Sequence, residues 1–290
     1  MKGEIDFSIK VKTEESKNID SNDLKITETI KETTDIIIYK GTYKNEPVKI
    51  REIGSYNCDG EDEKLQYELP YKMLEMFQTS DFIGKYIGKC LFENRHLVVT
   101  EFAPKGTMQD LLKSKTKVAI GLRNRIIFDT AKGLQLIHSK SFLHYNIKPS
   151  NILIMSTDGN ADVVAKITDF GYEYNVKKYH KKKLIHVDER PIYVAPEIFN
   201  GQKYTSQSDV YSFGMCMYVI QTMREPYTES KFEDPWNIAK FVSEGNRLPQ
   251  PEDMDKTMFD IIANSWEHCC ADRYSMDEIV GNLKKFLNSE

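Results

Sequence analysis

Residues 177–183 read Lys177-Lys178-Tyr179-His180-Lys181-Lys182-Lys183, five lysines and a tyrosine with no acidic residue among them. The run lies in a 290-residue chain whose 40 Lys+Arg and 44 Asp+Glu leave a net charge of −4. Such a run is either a solvated loop or an anion site whose lysines pair with phosphate or carboxylate groups as salt-screened point charges. Phosphorylation of Tyr179 would place about −1.5 to −2 charges inside it. The sulfur chemistry is plainer. Cysteines stand at 58, 90, 216, 269 and 270, an odd number without metal-ligand spacing, and read as free thiols in a reducing compartment. The vicinal Cys269-Cys270 pair reads as a helix-packing detail. Mild acidity argues against a dedicated nucleic-acid binder, and 40% hydrophobic residues with 11% aromatic exclude a wholly disordered chain. Met1-Lys2-Gly3-Glu4-Ile5-Asp6 has no apolar signal core, and Val210 to Met223 is too short to span a bilayer. No transmembrane segment and a cytoplasmic location are therefore expected.

Four blocks in the second half carry most of the polar chemistry. They are His144-Tyr145-Asn146-Ile147-Lys148-Pro149-Ser150-Asn151-Ile152-Leu153-Ile154, Lys166-Ile167-Thr168-Asp169-Phe170-Gly171, Tyr193-Val194-Ala195-Pro196-Glu197 and Ser208-Asp209-Val210-Tyr211-Ser212-Phe213-Gly214. In this order and at this spacing they resemble the protein-kinase superfamily, from about residue 24 to the C-terminus. The Asp209–Gly214 block and the later Trp266…Asp272-Arg273 look like the tyrosine-kinase-like group. Tyr39–Val48 is similar to the same region of mixed-lineage-kinase-domain-like and receptor-interacting kinases.

The resemblance implies a role for each block and also shows departures. Phosphoryl transfer rests on positioning and charge neutralisation: a glycine loop over the phosphates, a lysine, Mg²⁺ ligands and an acceptor-orienting Asp. Asp169 and Asn151 match the Mg²⁺ ligands, either as such or as residues that now only hydrogen-bond their loop, and Lys148 matches the catalytic-loop lysine. Asn146 stands where the catalytic Asp is found, and an amide cannot take the hydroxyl proton as a carboxylate does. Tyr145 replaces the Arg beside it. Lys31-Glu32-Thr33-Thr34-Asp35-Ile36 aligns with the glycine loop and has no glycine. In Val48-Lys49-Ile50-Arg51, Arg51 stands for the family lysine and Lys49 for a small residue against adenine, unless the register slips and Lys49 is itself that lysine. Thr100 matches the gatekeeper, Glu101-Phe102-Ala103 the hinge, and Leu153 the floor of a degenerate nucleotide pocket. Pro70 falls where a helical glutamate is required, with Glu68 two residues upstream. No Ser or Thr lies between Gly171 and Tyr193, and Arg190 takes the place of a family Thr. Tyr172, Tyr174 and Tyr179 remain as phosphoacceptors. The structural positions are kept: Glu197 with Arg273 as a buried ion pair, Asp209 as anchor of the loop, and His144 with Phe170 and Leu74 as a hydrophobic spine.

The elements that must position these residues follow from pattern. Residues 24–53 are β-rich, with a hairpin around Lys44-Asn45-Glu46-Pro47. An amphipathic helix carries Leu74 and Phe77 on one face, and strands are expected over Ile83–Phe92 and Leu97–Phe102. Helical patterns follow at Met108–Lys113 and Leu122–Ser139, the latter with a buried stripe of Ile126, Ile127, Thr130, Leu134 and Ile137. The expected fold is α+β and bilobal: an arm over 1–23 that is loose or adds a strand, a small β-rich lobe over 24–103, and a larger helical lobe over 104–290. The expected function is that of a pseudokinase scaffold or switch. The alternatives are an active Ser/Thr kinase and a nucleotide-binding switch without transfer. No cofactor is expected for the first reading, while ATP and Mg²⁺ belong to the others. Partners would be a protein (another kinase or a phosphoprotein) and an anionic surface reached through Lys177, Lys178, Lys181, Lys182 and Lys183.

Overall fold

The computed structural model describes residues 17–32, 36–53, 71–93, 95–170 and 191–289. Glu68, Pro70, Tyr172, Tyr174, Tyr179, the lysine run and Arg190 lie outside them, as do Thr33, Thr34, Asp35 and Cys58. The chain divides into two compact units, Met1–Glu75 with Lys85–Phe102, and Met76–Gly84 with Ala103–Glu290. The first is β-rich and the second mainly helical, the α+β class expected.

The first unit holds β1 (Leu24–Glu32), β2 (Ile36–Tyr43), β3 (Glu46–Ile53), β4 (Tyr86–Phe92) and β5 (Arg95–Glu101), an antiparallel sheet in the order β1-β2-β3-β5-β4. The β2–β3 hairpin turns on Lys44 and Asn45, with φ of 51° and 68°. Two left-handed residues give the tight turn whose twist matches the flanking strands. Alternation along β3 sends Val48 and Ile50 into an apolar cluster with Leu24, Tyr39, Leu97 and Val99. Of the arm expected over 1–23, residues 17–23 are described, and they pack within this unit. Ile19 is buried in the same cluster, and a 3₁₀ turn at Ser21–Asp23 leads into β1. The helical residues 71–76 include buried Leu74.

The second unit contains α1 (Met108–Ser114), α2 (Ile120–Ser139), the strands β6 (Ile152–Ile154) and β7 (Ala165–Ile167), and then α3 (Pro196–Phe199), α4 (Ser206–Thr222), α5 (Pro235–Ser243), α6 (Lys256–Ser265) and α7 (Met276–Leu287). The stripe expected on α2 is fully buried. The apolar stretch beginning at Val210 is α4, a core helix whose residues are nearly all buried. Ile83, expected to open β4, instead bridges Ile167 of β7, while Gly84 N–H donates to Ile167 O at 2.9 Å and Ile167 N–H to Phe82 O at 2.9 Å. These pairings explain why 76–84 group with the second unit. The vicinal cysteines are not helix packing: Cys270 opens a 3₁₀ turn and Cys269 is exposed.

Glu197 and Arg273 tie this unit together. Arg273 Nη1 donates to Glu197 Oε1 at 2.8 Å and Nη2 to Oε2 at 2.7 Å, a two-pronged pair with both side chains buried. The remaining Arg273 donors reach Glu267 O at 2.9 Å and Gln207 O at 2.7 Å. Burial pushes the Glu197 carboxyl up, but the hydrogen bonds and charge of Arg273 outweigh it and hold the group below the usual range. Among the described residues no helix is long and apolar enough to cross a membrane.

Candidate functional site

Asp209, near the start of α4, has no exposed surface. A carboxylate in that position is costly unless it is fully hydrogen-bonded. It accepts from the backbone N–H of His144 at 2.8 Å and of Tyr145 at 3.0 Å, and from Tyr204 Oη at 2.6 Å. His138 Nε2, near the end of α2, lies 2.9 Å away. Burial raises the Asp209 carboxyl, yet the His138 hydrogen bond and charge, with His144 and Tyr204, outweigh it and keep the group below its ordinary value. Tyr145 has a φ of 63°, a left-handed conformation. Its ring packs on Tyr204 with centroids 4.7 Å apart. The tyrosine in place of the family's arginine therefore has a packing partner inside the fold.

His144 is fully buried and its ring lies 4.8 Å from Phe170, stacked at 22°. Phe77 stacks on the same phenyl ring at 6.0 Å. Leu74, expected in this stack, belongs to the first unit. His144 Nδ1 accepts from Asn146 N–H at 3.3 Å, so the ring proton sits on Nε2 and is donated to Thr168 O at 3.1 Å. Burial pushes this imidazole down to about 4, against the opposing pull of Asp209 and Thr168 O. It is neutral at physiological pH.

The remaining residues of the second-unit site close a ring of bonds. Asn151, in the 3₁₀ turn Pro149–Asn151 that Lys148 precedes, donates from Nδ2 to Asn146 O at 2.7 Å. Its own carbonyl accepts from Thr168 N–H at 3.0 Å, and Asn146 Nδ2 donates to Asp169 O at 3.3 Å. Asn151 and Asp169 are thereby brought together, with Asp169 at φ 58°. A carboxylate and an amide oxygen are oxygen-donor types that fit Mg²⁺. Asn146 is different, because its amide faces the Asp169 carbonyl as a donor, a role an ionised carboxylate cannot fill.

The nucleotide-type residues of the first unit lie on β3 and β5. Lys49 pairs across the sheet with Thr100 on one side and Lys40 on the other, while Arg51 pairs with Val98. Lys49 and Arg51 share the sheet face opposite Val48 and Ile50, and both are half-buried. Glu101 ends β5, where its Oε1 accepts from Lys85 N–H at 2.6 Å. Leu153 is buried in β6 of the second unit. Sequence reasoning passed over His138 and Tyr204. It also missed Asp129, whose Oδ2 accepts from Val164 N–H at 2.7 Å beside β7. An acid within the otherwise apolar stripe of α2 was the available signal.

Residues 24–283 match the family described as protein tyrosine and serine/threonine kinase. The chain is similar to the dual specificity protein kinase shkC of Dictyostelium discoideum, 30% identical over 251 residues that cover 85% of the chain and 48% of that protein. It is also similar to the probable serine/threonine-protein kinase gdt2 of that organism, 28% identical over 283 residues, 96% of the chain and 17% of the relative. The RGS domain-containing serine/threonine-protein kinase A of the same organism is 27% identical over 251 residues, 86% of the chain and 21% of the relative. The chain spans less than half the length of each.

Two outcomes are expected from this geometry. Replacing Asn146 by Asp sets an acceptor against the Asp169 carbonyl and removes a donor, at a cost of about 1 kcal/mol. Asn146→Asp should therefore melt about 2–4 °C below the wild type in a thermal scan. The second concerns pH. His144 is held neutral with its value lowered from 6.5 to about 4, so its contribution is complete above pH 6.5 and is lost as pH falls toward 4. That shift corresponds to about 3 kcal/mol. In urea unfolding, His144→Phe should be less stable at pH 7 but show a flatter loss between pH 6.5 and 4 than the wild type.

Proposed function

The chain belongs to the protein tyrosine and serine/threonine kinase family, and from that membership we propose that it is a pseudokinase, a signalling scaffold or switch that does not transfer phosphate. The observation that carries this reading is Asn146. It occupies the position of the proton-accepting Asp, and its amide is engaged as a donor to Asp169 O at 3.3 Å. A general base must accept the proton of the attacking hydroxyl within hydrogen-bond reach, and an amide has no useful basicity. Two further features support the reading: the glycine-free stretch Lys31–Ile36, and Lys49 on the same face as Arg51. The tyrosine-kinase-like affinity, with its likeness to mixed-lineage-kinase-domain-like proteins, is part of the same reading.

A second reading is favoured by one specific observation, the bond from Thr168 N–H to Asn151 O that keeps Asn151 and Asp169 together. In a nucleotide-binding switch without transfer these two would hold Mg²⁺, and the ion would neutralise phosphate charge. The names of the relatives, serine/threonine and dual specificity kinases, accord with the third reading, residual transfer through Lys148, Asn151 and Asp169. The partner proposed for the silent module is a protein bearing phosphate groups, with Lys177, Lys178, Lys181, Lys182 and Lys183 as the contact and salt as its competitor.

A ligand that binds only the native state raises the melting temperature. With ATP at millimolar concentration, with or without Mg²⁺, no shift is expected. A rise of several degrees that requires Mg²⁺ would overturn the loss of nucleotide binding and favour the switch.

A further inference from the structure

Lys17 makes backbone contacts in two directions. Its N–H donates to Glu75 Oε1 at 3.3 Å, and its carbonyl accepts from Lys89 N–H at 3.0 Å on β4. Two residues on, Ile19 N–H donates to Lys89 O at 2.9 Å, so Asn18 and Lys89 form a parallel bridge along the outer edge of the sheet. Glu75 belongs to the helical residues 71–76. The backbone of one residue thus ties that helix to the edge strand.

The seat is shaped for this segment. Ile19 is buried in the apolar cluster that also holds Cys90, Leu97 and Val99. A Cβ on Gly88 would stand 2.3 Å from Ile19 Cγ2 and 2.8 Å from Lys17 O, so β4 can carry the strap only with glycine at that position. The 3₁₀ turn that follows is capped, with Asn22 N–H donating to Asp20 Oδ1 at 2.9 Å. On the helix side, burial and the charge of Glu75 both raise the Tyr86 phenol, which accords with Glu75 lying close to β4.

We propose that residues 17–20 are a latch that docks on the β4 edge and positions the helical residues 71–76 through the Lys17–Glu75 bond. Force on, or modification of, the preceding segment would then be transmitted to that helix. The latch involves no residue of the catalytic-type loop and stands whether or not the chain binds nucleotide.

Amide hydrogen exchange on the full 290-residue chain tests it with two substitutions. Ile19→Asp unseats the latch, and exchange at 71–76 and at Lys89 should rise at least tenfold while α2 is unchanged. Glu75→Ala cuts only the link to the helix, and alanine is itself the strongest helix former, so any loosening is not a propensity effect. Exchange at 71–76 should rise in Glu75→Ala while the Ile19 and Lys89 amides stay protected. If Ile19→Asp frees Lys89 but leaves 71–76 unchanged, the strap covers an edge and nothing more, and the proposal fails. If Ile19→Asp opens the whole first unit, Glu75→Ala decides, and unchanged exchange at 71–76 in that variant overturns the latch.

Discussion

A single buried carboxylate organises the candidate site. Asp209 is out of reach of water, and an ion there is tolerated only when protein donors replace its hydration shell. Those donors come from three places: His138 on α2, the backbone of His144 and Tyr145, and Tyr204 ahead of α4. Tyr145, whose N–H is one of these donors, is left-handed at φ 63°, and the chain turns there toward Asn146. The rest follows in sequence. His144 is set against Phe170, Asn146 against the Asp169 carbonyl, and Asn151 between the two segments.

Under the proposed pseudokinase reading, the frame and the chemistry have separated in this molecule. The groups that hold backbone in place are buried and bonded: Asp209, the neutral His144, and the Glu197–Arg273 pair. The positions that would handle a proton or a phosphate carry side chains of another kind. Asn146 has a donor where the kinase resemblance implies an acceptor, and Tyr145 has an aromatic ring packed on Tyr204 where that resemblance implies a cation. A fold of this kind can keep its stability while its site changes, because the frame is satisfied internally and does not draw on the reacting groups. Single inactivating substitutions usually leave orphaned partners. Here the replaced residues have acquired partners of their own.

Much of this was legible in the sequence because the four motif blocks are local and their order is informative. Blocks such as His144–Ile154 and Lys166–Gly171, in their order, pointed to the kinase fold. The buried stripe of α2 was equally plain from its period. What stayed hidden were contacts whose two halves are unrelated in pattern. Nothing in the type or spacing of Tyr204 or His138 advertises a shared carboxylate partner. Ile83 read as the first residue of a strand, but it makes only an isolated bridge to Ile167, 84 positions on, in the second unit. Ile19 is one aliphatic residue in a polar stretch, too little for periodicity, and its role became visible only with Gly88 beneath it. Cys269-Cys270 was misjudged because the helix expected there is a single 3₁₀ turn.

The most direct measurement is transfer of labelled phosphate from ATP in the presence of Mg²⁺, to a generic protein substrate and to the chain itself, compared between the wild type and Asp169→Asn. If the base position is silent as its chemistry indicates, incorporation in the two proteins is equal and at background. Incorporation by the wild type that disappears in Asp169→Asn would contradict it, and would make this chain a working kinase with an unconventional loop.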